Sequence, residues 1–134
     1  VAAFVDAFVR KHRASAFWVS RDGDLVRWTI NPETPAIFVP KDASTGPISR
    51  YFSNAASVAT ISHVDRVCAT GKPEWVRRRY VGPEETIHRL VGYIPLNRGL
   101  AVVIQRRCEA CSRNPQANPD CEEILLKQLA QKIS

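Results

Sequence analysis

A chain of 134 residues with 45% hydrophobic content is long enough for one domain with a single core, and this composition excludes a disordered segment. No apolar run reaches bilayer-spanning length, which excludes a transmembrane helix, and no charged-then-apolar leader pattern opens the chain, so a cytoplasmic domain is expected. The net charge of +6 gathers at Arg10 to Arg13, Arg77 to Arg79 and Arg106-Arg107. It fits solvated faces or attraction for an anionic ligand or partner; without a basic recognition helix, nucleic acid is not the expected partner.

Val1, Phe4, Val5, Phe8 and Val9 fall at helical spacing and predict a helix that Arg13 to Ser15 ends. Val1 already lies inside that pattern, which points to one domain (1–134) of a longer chain. Ala16 to Ser20 reads as a strand. Arg21 to Gly23 is a turn signal, and Asp24 to Ile30 alternates as the second arm of a hairpin. Asn31 to Gly46 is proline-rich loop, with Ala36 to Val39 as an edge strand. Gly46-Pro47 reads as a helix start, with Ile48, Tyr51, Phe52 and Ala55 on one face.

For Ala56 to Cys68 two readings compete. The helix continues, or Val58, Thr60 and Ser62 alternate against Ala59 and Ile61 as a strand; periodicity alone does not decide. Thr70 to Glu85, punctuated by Gly71, Pro73, Gly82 and Pro83, reads as a loop. Thr86 to Leu96 and Gly99 to Gln105 are apolar strands joined by a tight turn at Asn97-Arg98. The closing helix has Asn118 as N-cap, Pro119 at its first position, acids in its first turn and Lys132 near its end.

The order of these elements resembles a GAF domain, and the ending carries the likeness best. A strand closes on Pro95-Leu96, a turn follows, then an apolar strand, then a helix with Glu122-Glu123, Leu125, Leu126, Leu129 and Ala130. PAS and Cache domains share a similar plan. The resemblance implies an α+β fold with a central antiparallel sheet of five or six strands, and it favours the strand over the helix at Ser57 to Ser62. The N- and C-terminal helices would lie on one face, and a short helix plus loops would cap a pocket on the other. It also implies a non-enzymatic sensor or regulator in signal transduction: a small-molecule-binding domain of a larger protein, dimeric through its terminal helices and joined to an output domain. Ordering of Thr70 to Glu85 over the ligand would move those helices. The chain lacks the Asn-Lys-Phe-Asp/Glu signature of cyclic-nucleotide-binding GAF domains and the Cys-His pair that attaches bilin, so neither ligand is expected and no catalytic set carries over.

Two groups of residues carry possible chemistry. Trp18, Tyr51, Phe52, Trp75 and Tyr93 are aromatics of the kind that wall a small-ligand pocket, although Trp18 and Phe52 also suit a core. Arg77, Arg79 and His88 would meet an anionic ligand, since guanidinium forks fit carboxylate and phosphate; surface solvation is the plainer alternative. The second group is Cys108 and Cys111, spaced as a Cys-x2-Cys pair, with Cys121 and the distant Cys68. That spacing suits zinc, an iron–sulfur cluster or a redox pair, and is equally met by ordinary cysteines. Cofactor identity therefore stays open; a redox or metal sensor stands as one alternative function, and a nucleic-acid or partner-binding module using the basic clusters as another. Serines occur in no nucleophile-elbow pattern and no glycine-rich phosphate loop is present.

Overall fold

The structure, a computed structural model, describes residues 2–31, 44–81, 83, 86–107 and 120–133. Helix α1 spans Ala2–His12 and buries Val5, Phe8 and Val9, while Arg10, Lys11 and His12 occupy its last turn, where cations complement the helix dipole. Asn31 donates from Nδ2 to the Val9 and Arg10 carbonyls (2.9 and 3.3 Å), so a residue beyond the following hairpin caps this helix. Arg13, at φ 52°, turns the chain sharply into strand β1, Ala14–Ser20. Strand β2, Asp24–Ile30, returns antiparallel, with a bulge where Trp18 and Val19 face it.

A two-residue strand β3, Gly46–Pro47, pairs with the start of β2, and a single 3-10 turn at Ile48–Arg50 follows. The helix expected to start at Gly46-Pro47 is thus only this turn. Ile48 and Phe52 are buried from it, Tyr51 half-buried, and Ala55 already belongs, exposed, to the next helix.

Helix α2, Asn54–Thr70, replaces the strand expected around Ser57 to Ser62. Its start is fixed by Ser53, whose Oγ accepts from the Ala56 N–H at 3.2 Å, and its end by Gly71 in the left-handed conformation. Ser57, Thr60, Val64, Val67 and Cys68 form its buried stripe, at helical spacing, while Val58 is 62% exposed. Two small polar residues stand in the first half of that stripe, which hides the helical period from a hydrophobicity reading.

Strand β4, Glu74–Val81, replaces most of the loop expected over Thr70 to Glu85. Glycine and proline confine themselves to its flanks, and its arginines suit an edge strand. Strands β5, Thr86–Asn97, and β6, Leu100–Arg107, follow the expected hairpin; the turn residues are Arg98 and Gly99, with the Gly99 N–H donating to Asn97 Oδ1 at 2.8 Å. Helix α3, Asp120–Ile133, closes the chain. The expected strand at Ala36 to Val39 and the caps at Asn118 and Pro119 lie outside the described residues.

The six strands form one antiparallel sheet in the order β3-β2-β1-β6-β5-β4. Alternation along the strands divides the core in two. Helices α1 and α3 cover one face through Val5, Val9, Leu126 and Leu129, packed on Ala16, Trp18, Leu90, Ile94, Val102 and Ile104. Helix α2 and the 3-10 turn cover the other through Ile48, Phe52, Val64 and Val67, packed on Phe17, Val19, Val91, Tyr93 and Val103. Each fully buried aliphatic side chain of this kind contributes about 1.5–3 kcal/mol of transfer free energy. The α+β architecture, with terminal helices on one face and the middle helix on the other, is the expected one. No helix among the described residues is long and apolar enough to cross a membrane.

Candidate functional site on the α2 face

Tyr93 of β5, 1% exposed, points to the α2 face, and the His63 ring lies on it with centroids 4.4 Å apart and an interplanar angle of 16°. His63 Nδ1 is 2.8 Å from Glu74 Oε1 on β4 and 2.9 Å from Arg66 Nη2. Arg66 also forks onto the Glu74 carboxylate, with Nε donating to Oε2 at 2.6 Å and Nη2 to Oε1 at 2.8 Å. The Arg66 hydrogen bond, aided by His63 and opposed by partial burial, holds the Glu74 carboxyl down at about 2. Nδ1 of His63 is therefore engaged in either tautomer, and Nε2 is the ring's remaining polar atom.

The turn of α2 that begins at Ser57 adds a second observation. Ser57 is 4% exposed and its Oγ has no hydrogen-bond partner among the described residues. A buried hydroxyl without a partner costs about 1–3 kcal/mol. Thr60, one turn on and 5% exposed, continues a polar strip along the sheet-facing side of the helix. The core under α2 is thus apolar with a few polar groups set into it.

The eight aromatic and basic residues expected to form a pocket divide between the two faces. Tyr51, Phe52 and Tyr93 belong to the α2 side. Phe52 meets Phe17 edge-on at 5.8 Å, and Tyr51 Oη accepts from the Ser44 N–H at 2.8 Å. Trp18 and Trp75 pack in the terminal-helix core instead. Arg27 lies over the Trp18 ring at 5.0 Å and is held by Asp6 at 3.0 Å. Arg77 faces Leu90 across β4 and β5, and Arg79 stands opposite His88; the side chains of Arg79 and His88 are outside the described part. His63, Arg66, Glu74 and Ser57 were not among the eight, because their convergence depends on α2 being a helix: His63 and Arg66 share a face only at a spacing of three.

Of the cysteines, Cys108 and Cys111 lie outside the described residues, as does the Cys121 side chain. Cys68 lies in the buried stripe of α2, and that burial pushes its thiol pKa up against the pull of Arg21. It is correspondingly unreactive. Cys121 rides on α3, across the sheet from Cys68. Among the described residues no three metal-ligating side chains come together.

A concavity lies on the opposite side of the molecule. Phe4, Ala7, Phe8 and Lys11 of α1, with Gln128, Leu129 and Lys132 of α3, line a groove of about 240 Å³. His12 closes one end, its ring 4.6 Å from that of Phe8. Burial lowers the His12 pKa, and the cations Arg106 and Lys11 lower it further.

No family model matches the chain, and no curated protein matches it. A solved structure titled "Structure of an RNA-binding Light-Oxygen-Voltage Receptor" is similar over 89% of this chain and 32% of its own, with a TM-score of 0.45 and 14% sequence identity. The chain thus spans about a third of the length of that protein.

Proposed function

We propose that this chain is a non-enzymatic sensory domain of GAF or PAS type that takes a small molecule on the α2 face and passes the event through the sheet to α1 and α3. One observation carries the reading. Neighbouring residues of β5 serve the two faces: Tyr93 lies under His63, while Gly92 lies under Trp75 and Leu126. Only the thickness of one strand separates the binding side from the helices. A ligand that reaches Ser57 and displaces α2 therefore loads β5 directly, provided that it binds two arrangements with different affinity. An adjoining output domain would read the helices.

Native mass spectrometry of the protein as isolated tests the binding half. The expected result is a small-molecule adduct that Ser57→Val reduces. Amide hydrogen exchange, with and without the adduct, tests the coupling half. Protection in α1 and α3 should change. A protein that carries no adduct and whose His63 and Tyr93 resonances ignore a fragment library would refute binding on this face. Binding that leaves α1 and α3 exchange unaltered would refute transmission.

A further inference from the structure

We propose that the groove between α1 and α3 is a docking site for an acidic amphipathic helix of a partner protein. Its floor is apolar: Phe4, a large ring left 51% exposed, continues the row formed by Phe8 and Leu129. Its rim is basic, with Lys11 on one helix and Lys132 on the other. Asp6 is the one acid of α1, and Arg27 and Thr29 hold it at 3.0 and 2.8 Å. Among the described residues no carboxylate forms an ion pair with Lys11 or Lys132. Arg106 adds to this positive field from beneath, since its Nε donates to the His12 carbonyl at 3.0 Å.

The shape selects a helix. Phe4 to Lys11 covers about 10 Å of α1 at the rise of 1.5 Å per residue. That length accommodates two turns of a third helix whose apolar residues recur at three- and four-residue intervals. The charge selects its flanks. A second copy docking by two-fold symmetry would set this basic patch against itself, in a chain whose net charge is already +6. A partner with glutamates or aspartates beside its apolar stripe would meet Lys11 and Lys132 with opposite charge. A nucleic-acid backbone would satisfy the lysines but leave Phe4 without a role. The inference does not depend on a ligand under α2.

Fluorescence anisotropy with two designed 18-residue peptides tests it on the whole chain. Both carry the same leucine stripe; one has glutamates on its flanks and the other lysines. The glutamate peptide should bind with a Kd on the order of 10–100 µM and the lysine peptide at least about tenfold more weakly. Phe4→Ser should weaken the glutamate peptide about tenfold. Lys132→Glu, at an exposed position, should narrow or reverse the preference between the peptides. Equal binding of the two, or no binding of the glutamate peptide below about 1 mM, would overturn the proposal. So would a concentration-dependent dimer that Phe4→Ser abolishes, which would make a second copy the occupant. Tighter binding of a DNA or RNA duplex that survives Phe4→Ser would also overturn it, by reducing the groove to a basic surface.

Discussion

Gly92→Ala tests the contact on which the proposed transmission across the sheet rests. A Cβ at this position would lie 2.8 Å from Trp75 Cζ3, 3.1 Å from its Cε3 and 3.4 Å from Leu126 Cδ1. Ordinary carbon contacts begin near 3.5 Å, so the indole must withdraw by about 0.7 Å. Leu126 is fully buried and does not give way, whereas half-buried Trp75 has solvent to move toward. Overpacking of this kind costs about 1–3 kcal/mol, and replacing a strand glycine with alanine returns about 0.5–1 kcal/mol. The net expectation is a loss of about 1–2 kcal/mol, or a Tm lower by roughly 3–6 °C. Urea unfolding followed by far-UV circular dichroism measures it as a lower midpoint at unchanged slope. The decisive comparison adds Trp75→Leu. In that background Gly92→Ala should be neutral or stabilising, which gives a coupling of about 1–2 kcal/mol between the positions. Equal destabilisation in both backgrounds, or stabilisation of the parent protein, would refute the close approach of indole and strand.

The folded-state pKa of Glu74, about 2, lies below its unfolded value, so its contribution is present above about pH 4.5 and is lost as pH falls toward 2. With the side chain 26% exposed and its partner Arg66 51% exposed, screening reduces that contribution to about 1 kcal/mol or less. Glu74→Gln should remove this acid-side slope in urea melts collected from pH 6 to pH 2.5; a variant with the parental slope contradicts the ion pair. Ser57→Ala should leave the ligand-free protein unchanged or up to about 1 kcal/mol more stable, because it deletes a buried hydroxyl that has no partner; a loss above about 2 kcal/mol would mean the hydroxyl is bonded. Asn31→Ala should cost about 1–3 kcal/mol by stripping the cap from the Val9 and Arg10 carbonyls. Amide exchange should then rise in α1 before the rest of the protein, and uniform acceleration would argue against a local cap.

What the sequence revealed depended on where hydrophobic residues carry the period. The hairpin from Ala14 to Ile30, the paired strands from Thr86 to Arg107 and both terminal helices show it openly, and their arrangement follows. Helix α2 was hidden because Ser57 and Thr60 occupy the sheet-facing stripe that apolar residues usually hold, which left a short β-like alternation more visible. Strand β4 was hidden because an edge strand tolerates the run Arg77 to Arg79, which reads as solvated loop. The aromatics were legible as a set but not by face: Trp75 and Val76 are adjacent in sequence and on opposite sides of the sheet. The His63, Arg66 and Glu74 cluster required knowing that Gly71 ends α2 and lets the chain turn back along it. The groove required knowing that Phe4, which falls in with Val5, Phe8 and Val9 by period, stays half out of the core.

The order of the sheet also governs how this chain is made. Strand β1 pairs with β6, and Ala14 finds Arg106 about ninety residues further along. Until β6 has been synthesised, the β1–β2 hairpin and the β4–β5 hairpin have no strand between them. The inner edge of β1, an almost wholly apolar strand, faces the surroundings during that interval. Pairings of such long sequence separation fold slowly and expose nascent strands to intermolecular pairing. A ribosome that stalls before Leu100 would therefore release two sticky halves, and the eight residues of β6 are what make them one sheet.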